Sequence, residues 1–242
     1  MKWRSALPRA FPQKGVGLRS RRAYMALGTA FAFVVPSLGQ VQKYAGMWGM
    51  LFYVLLAFGF WSVAPRFLRK VDALVPERWA CGLALATGFV LLILFFALYP
   101  IADAGIIGGG SDRDDALNLG VRELLRGRCP YHVTTYLGNP IAPLPGGLLL
   151  SLPFVVLGNS AYQNFFWLAV FFLVAREVLG DSWRALLLLW SLLLFSPVLL
   201  QQIVTGGDLP ANSIAVLTFC WLSLRASPRW RPIVASLLGL AW

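Results

Sequence analysis

The sequence predicts an all-α fold, a polytopic transmembrane helical bundle with about six spans, a partial seventh span, and juxtamembrane helices in an extracytoplasmic loop. Hydrophobic side chains make up 58% of the 242 residues, against roughly 45–50% in a soluble domain. Charged residues make up 13%, about half the usual share. Charge-free stretches near the ~20 residues that cross a bilayer recur along the chain. These observations exclude a soluble globule, a disordered chain and a disulfide scaffold.

Residues 1–22 form a basic arm. The net charge of the chain is +11, and seven basic residues precede the first apolar stretch with no acidic residue among them: Lys2, Arg4, Arg9, Lys14, Arg19, Arg21 and Arg22. This is the positive-inside pattern, which predicts an integral multi-pass protein of the cell (inner) membrane with a cytoplasmic N-terminus. The other basic residues also gather at the ends of apolar stretches, so we expect no nucleic-acid partner.

Three transmembrane helices are predicted within residues 23–100. Stretches without Asp, Glu, Lys or Arg cover residues 23–42, 44–65 and 79–102. Each approaches the length of a membrane span. A charge at the centre of a span costs roughly 2.5–3.5 kcal/mol, so Lys43 divides the first two predicted spans.

An extracytoplasmic loop is predicted at residues 101–160. Its apolar segment 146–158 is shorter than a span and contains Pro153. If this segment lies in the membrane interface instead of crossing, every strongly basic loop falls in the cytoplasm. We therefore predict a juxtamembrane helix here.

The last region, residues 161–242, is predicted to hold three more transmembrane helices and a truncated fourth. The three charge-free stretches are 161–175, 185–207 and 209–224. A further apolar run begins after Arg231 and continues to the last residue. We therefore expect the sequence to be the N-terminal portion of a longer protein.

The extracytoplasmic loop also contains a predicted amphipathic helix. Ser111 is a good N-cap, Asp114 completes a capping-box pattern, and Gly127 is placed to end the helix. Four apolar residues follow at helical spacing and are expected to face the acyl chains: Leu117, Val121, Leu124 and Leu125. Three polar residues are expected to face water: Asn118, Arg122 and Arg126.

Asp112, Asp114 and Asp115 have two interpretations. Acidic residues in a first helical turn complement the helix dipole, so they could serve the helix alone. Alternatively, a carboxylate held outside the membrane beside several arginines could accept a proton from a sugar hydroxyl, while the arginines neutralise a lipid phosphate. Transfer of a sugar from a lipid phosphate would need only this base and this positive charge, because the phosphate leaves as an anion and needs no acid.

The loop residues resemble those of a known family. Ser111 to Tyr131 read S-D-x-x-x-A-L-x-L-x-V-x-x-L-L-x-G-x-x-P-Y, and the proline-bearing segments 140–146 and 152–158 follow. Together they resemble the first extracytoplasmic loop of multi-pass GT-C glycosyltransferases, which include mannosyltransferase-like and arabinosyltransferase-like enzymes. The resemblance covers roughly Gly108 to Ala215.

The resemblance implies inverting transfer of a hexose or pentose from a polyprenyl-phosphate donor to a glycan, lipid or protein acceptor on the outer face. Asp112 matches the first acidic position of the family, Asp115 matches the second, and Tyr131, which is expected to bind substrate, ends the motif. The two acids stand as Asp-x-x-Asp, so the base is either of them, with Asp112 preferred. Arg113, Arg126 and Arg128 are the expected phosphate partners. A divalent cation, Mg²⁺ or Mn²⁺, could replace an arginine in that role.

Asp208 is the remaining predicted substrate-binding residue. In the predicted topology it returns to the outer face between two spans, where an ionisable residue is a functional candidate. Asn212 and Gln201 or Gln202 could join it. His132, the single histidine, is expected to be a solvated loop residue. Two other functions stay open, a transporter or flippase-like protein for a lipid-linked anion and an inactive membrane fragment.

Overall fold

The computed structural model describes residues 28, 30–32, 34–71, 77–104 and 112–241. All regular elements in these ranges are helical, apart from an isolated antiparallel bridge between Thr134 and Pro140. Three helices are long and apolar enough to cross a membrane, or four if one bent pair counts as a single span. The predicted all-α class is confirmed for these residues, and the long apolar helices are consistent with a membrane protein. The basic arm 1–22 and the predicted N-cap Ser111 lie outside the described residues.

The chain divides into two compact units, residues 1–71 and 72–242. In the first unit, a short 3₁₀ turn at Val35–Ser37 leads into helix α1, Leu38–Val71. Its candidate span is Ala30–Phe60. The helix continues through the exposed Lys43, which is a good helix former. The helical geometry is interrupted instead at Gly46, where φ is 67°.

The second unit contains eight helices within the described residues. They are α2 (Glu77–Asp103), α3 (Arg113–Leu125), α4 (Pro145–Val156), α5 (Gln163–Leu179), α6 (Ser182–Phe195), α7 (Pro197–Val204), α8 (Leu209–Arg225) and α9 (Arg231–Ala241). The candidate spans here are Trp79–Asp103 and Ser160–Leu179. Both correspond to predicted spans, and the second extends four residues beyond its predicted end.

The stretch 185–207, predicted to be one span, is divided between two helices, α6 and α7. α6 and α7 meet at Ser196 and are bent by 89°. Pro197 has no amide hydrogen and disfavours helical geometry in the residue before it, which favours an end of α6 at Phe195 and a new helix beginning at Pro197. α8, with 17 residues, extends about 25 Å and is shorter than the ~30 Å hydrocarbon core. Six spans and a partial seventh are therefore not confirmed.

α3 and α4 pack against each other. Leu117 and Val121 of α3 are buried against Leu148 and Val155 of α4. The sequence predicts that the apolar face of α3 lies against acyl chains, but in the structure this face packs on α4. Two residues depart from the predicted faces: Asn118 is buried and Leu125 is exposed. The buried side of α3 is accordingly rotated from the predicted stripe toward Asn118.

Gly120 allows the close approach of these two helices. A Cβ atom at this position would lie 2.8 Å from Leu148 Cδ2 and 3.2 Å from Ile141 Cγ2. Gly120→Ala is expected to destabilise the protein by about 1–3 kcal/mol, because the pair is already in contact. Thermal unfolding in detergent measures the effect. Gly147→Ala on α4, where the nearest atom is 3.9 Å away, is the matched control and should be neutral or slightly stabilising. Equal Tm values for both variants would contradict the assignment.

The predicted end of α3 is confirmed. Gly127 has φ +70°, and the amides of Gly127 and Arg128 donate to the carbonyls of Leu124 and Glu123 at 2.9 Å. This is a Schellman motif, in which a left-handed glycine satisfies the last helical carbonyls. It turns the chain sharply away from the helix axis and leads it back toward α3.

The helices of the second unit begin and finish at two opposite ends of a bundle. At the first end, which we call the Tyr99 end, the C-terminus of α2 meets the beginnings of α3 and α5 and the turn before α8. At the second, the Arg176 end, α5 finishes and α6 begins, and Arg225 at the end of α8 pairs with Glu177 at 2.7 Å. The apolar core between them includes Leu91, Leu168, Leu186, Ile203 and Ile214.

Candidate functional site at the Tyr99 end

Asp112 joins the beginning of α3 to the turn at residues 135–139. Its carboxylate accepts hydrogen bonds from Thr135 Oγ1 at 2.5 Å and from Asn139 Nδ2 at 2.8 Å. These bonds, first that from Thr135, hold the pKa of Asp112 below its ordinary value. The residue occupies the N-cap position, yet among the described residues its side chain caps no helix amide. It is a partly exposed, ionised carboxylate.

Asp115 contacts the same turn. Its carboxylate accepts a hydrogen bond from the amide of Tyr136 at 3.0 Å. Gly138, with φ +81°, closes the turn by donating to the Thr135 carbonyl at 2.8 Å. The two predicted acidic residues are therefore brought together, and both position the turn as well as the helix.

Asp114 has a different environment. It is 2% exposed, and its carboxylate accepts a hydrogen bond from the Tyr99 hydroxyl at 2.5 Å. Burial raises the pKa of Asp114 to about 6. Asn159 Nδ2 donates in turn to the Tyr99 oxygen at 2.9 Å. This chain of bonds connects the end of α2 with the beginning of α3 and the turn before α5.

Asn118 completes the network on its inner side. Its Oδ1 accepts from the Ser160 amide at 2.8 Å, and its Nδ2 donates to Asn159 Oδ1 at 3.4 Å. Ser160 Oγ donates to the Asp114 carbonyl at 3.3 Å. A buried polar group is costly unless it is hydrogen-bonded, and these bonds explain why Asn118 lies inside.

Asp208 reaches the same end of the bundle from the turn before α8. Its carboxylate accepts from Arg113 Nη1 at 3.1 Å and from Asn212 Nδ2 at 2.9 Å. Arg113 follows Asp112 directly in the chain and is half exposed. The ion pair therefore places a fourth carboxylate next to the three aspartates of the loop.

The amide side chains of Asn164 and Gln202 contact the turn at Gly206 and Gly207. A Cβ at Gly206, where φ is +80°, would lie 2.8 Å from the ring of Tyr99, so only glycine fits. Asn164 Nδ2 donates to the Gly207 carbonyl at 2.8 Å, and the Gln202 side chain packs against Gly207. Within the described part of the chain, three buried amide atoms have no hydrogen-bond partner: Gln163 Nε2, Asn164 Oδ1 and Gln202 Oε1.

Two predicted phosphate partners are paired elsewhere. Arg126 donates to Glu123 at 2.9 Å, and Arg128 binds both oxygens of the same carboxylate, at 2.7 and 2.5 Å. Pairing with Arg128 first, and with Arg126, holds the pKa of Glu123 below its ordinary value. These arginines stabilise the end of α3, whereas Arg113 lies at its beginning beside the acidic residues.

Tyr131 and His132 lie on a 3₁₀ turn that contacts α3, Pro130–His132. The Tyr131 hydroxyl donates to the Pro143 carbonyl at 3.2 Å, and both side chains are exposed. No hydrogen bond described for Tyr131 joins it to the acidic residues. No group of three His, Cys, Asp or Glu side chains suited to a metal ion occurs in the ranges that the structure describes.

No sequence pattern indicates that Tyr99, Asn159 or Asn164 belongs to this cluster. Tyr99 belongs to an apolar helix, and aromatic residues near span ends ordinarily form the interfacial belt. Its partner Asn159 is 60 residues away, so no local pattern connects the two. The residues could be recognised as a cluster only once the helices had been packed.

No protein-family model matches the chain, and neither a curated protein nor a solved structure matches it. The function is therefore inferred from the residues of the Tyr99 end and from the resemblance described above.

Proposed function

We propose that the protein is a membrane glycosyltransferase that moves a sugar from a polyprenyl-phosphate donor to an acceptor hydroxyl at the Tyr99 end of the bundle. The observation that carries this proposal is the Arg113–Asp208 ion pair. It joins two loops that are 95 residues apart and gathers a cation and several carboxylates where apolar helices end. A substrate with a lipid tail and an anionic head requires an apolar helix surface for the tail and, beside it, a cation for the head.

In the proposed reaction, Asp112 accepts the proton of the acceptor hydroxyl. The freed oxygen attacks the anomeric carbon, and the bond between that carbon and the phosphate oxygen breaks. The polyprenyl phosphate leaves with one more negative charge than it had in the donor. The Arg113 guanidinium stabilises that developing charge, which is the usual role of arginine at a transferring phosphate.

The three aspartates of the loop have different roles in this proposal. Asp112 is partly exposed and ionised, so it can both reach a substrate and accept a proton. Asp114 is sealed from solvent by Tyr99 and serves as a positioning residue. Asp115 holds the amide of Tyr136 and thereby fixes the turn that carries Thr135 and Asn139, the partners of Asp112.

Arg113 and Arg126 provide a test of this function. Membranes containing the protein are incubated with radiolabelled monosaccharides linked to polyprenyl phosphate, and transfer of label is measured. A hydrogen bond to a charged group contributes about 1.5–3 kcal/mol, so Arg113→Gln is expected to reduce kcat/KM for the donor about 10- to 100-fold. Arg126→Gln should change it little, because Glu123 retains Arg128.

Two results would contradict the proposal. Equal losses in the two arginine variants would place the phosphate away from Arg113. Absence of transfer from every donor, together with uptake of a lipid-linked anion that depends on Arg113, would favour a transporter.

A further inference from the structure

An apolar groove of about 580 Å³ lies between α2 and α5, with Leu189 of α6 also lining it. Its volume is within the roughly 300–1,000 Å³ of ordinary ligand sites. On α2 the lining runs from Cys81 to Leu92, and on α5 it runs from Phe165 to Arg176. Among the lining residues, Leu85, Phe89 and Leu173 are highly exposed. The groove is therefore open along its length and almost wholly apolar.

The groove has the depth of one leaflet of a bilayer. Each lining segment advances eleven residues, which at ~1.5 Å per residue is about 17 Å. This is close to half of the ~30 Å hydrocarbon core. Phe165 contacts Phe95, one turn before Tyr99, with ring centroids 5.4 Å apart. The inner end of the groove thus lies toward the Tyr99 end, and its mouth lies at the Arg176 end.

The mouth is polar and cationic. A second recess of about 480 Å³ adjoins the groove, shares Leu173 and Arg176 with it, and is also lined by Glu177 and Gly180. The carboxylate of Glu177 is paired with Arg225. Five arginines stand at this end: Arg176, Arg184, Arg225, Arg229 and Arg231. Against them stand Glu177, Asp181 and Glu77, the first residue of α2, so arginines remain in excess and the end attracts anions.

The geometry points to a binding site for an anionic phospholipid of the surrounding bilayer, with one acyl chain in the α2–α5 groove and the phosphate at Arg176. An apolar slot as deep as one leaflet fits a single acyl chain, and the basic mouth complements the headgroup. This site is at the opposite end of the bundle from the proposed transfer site and does not depend on it.

Photolabelling of the full chain tests the site. The protein is reconstituted in phosphatidylcholine vesicles that contain phosphatidylglycerol with a photoreactive acyl chain. We expect labelled peptides from residues 81–92 and 165–176. Gly88 lines the groove, and a Cβ there has no atom within 4 Å, so the leucine of Gly88→Leu can extend into the slot. Labelling of both peptides should decrease about tenfold, which corresponds to excluding about two methylene groups.

Two matched controls separate the slot from general lipid contact. Gly82→Leu lies on the same helix with equal free space but outside the groove lining, and it should leave the labelling unchanged. Arg176→Gln should reduce the preference for phosphatidylglycerol over photoreactive phosphatidylcholine about fivefold, the effect of one charge near the surface. Arg184→Gln, at the same end but outside the lining, should have less than half of that effect.

The proposal is overturned if Gly82→Leu and Gly88→Leu reduce labelling equally, because the contact is then that of bulk lipid. Equal labelling by the two headgroups in the unmodified protein would remove the role of Arg176. A photoreactive residue at position 85 that crosslinks to α1 or to a second copy of the chain, instead of to lipid, would show that protein occupies the groove.

Discussion

Asp112→Asn is expected to reduce sugar transfer by about 10²- to 10⁴-fold, the usual contribution of a general base. The asparagine side chain is nearly the same size and can keep hydrogen bonds to Thr135 and Asn139, so the loop should remain folded. Because the loss is one of proton transfer, kcat should fall while KM for the donor changes little. The assay is transfer of radiolabelled sugar from polyprenyl-phosphate donors, with thermal unfolding measured on the same samples.

The control for this prediction is Asp115→Asn. Asp115 contacts the same turn through the Tyr136 amide, and an amide oxygen can accept that bond, so activity should fall less than tenfold. If Asp115→Asn is the more damaging variant, the base is Asp115. If neither variant loses activity while both lose stability, the two aspartates serve only the helix and the turn.

Asp114→Asn is expected to remove a pH dependence from the stability of the protein. The pKa of Asp114 is about 6 in the folded state, against 3.8 for an unperturbed aspartate carboxyl. The folded state therefore binds more protons between these pH values, and its stability falls as pH rises through this window. The difference amounts to roughly 3 kcal/mol at 1.36 kcal/mol per pKa unit. Above pH ~6 the loss of stability caused by the ionised Asp114 stays constant.

The measurement is the free energy of unfolding in mixed SDS micelles at acidic and neutral pH. Asp112 and Glu123 change stability in the opposite direction, because their pKa values are lowered, so the informative quantity is the difference between wild type and variant. Asp114→Asn should be more stable than wild type at neutral pH and should equal it near pH 4. Asp114→Ala, which leaves the Tyr99 hydroxyl without its acceptor, should be less stable than Asp114→Asn by about 1–3 kcal/mol. A wild type and an Asp114→Asn variant with parallel pH profiles would contradict the assignment.

Local patterns were sufficient to predict parts of the fold. The charge-free stretch at 79–102 predicts α2 closely, because hydropathy and length describe a span without knowledge of its neighbours. Gly127 is correctly placed at the end of α3, because a left-handed glycine is a local requirement. The presence of an amphipathic helix after Asp112 follows from spacing alone.

Features that depend on packing were not predicted. The bend at Ser196 divides a run whose hydropathy is uniform. The burial of Asn118 and Asp114 depends on partners 41 and 15 residues away. Arg126 and Arg128 were expected at a phosphate, but Glu123 is close enough to bind both, and a local carboxylate competes for a guanidinium wherever the chain can reach it. Of the site, the acidic loop and Asp208 were thus predictable, and the network that holds them was not.

The Arg113–Asp208 pair has a consequence for the order in which the protein is made. At the usual 5–20 residues per second, Asp208 is synthesised about 5–20 s after Arg113, which precedes it by 95 residues. The Tyr99–Asp114 bond spans only 15 residues and can form early, before the rest of the second unit has been synthesised. The nascent chain can therefore position Asp114 well before the last carboxylate is made, and the cluster at the Tyr99 end is completed only when the turn before α8 has been synthesised.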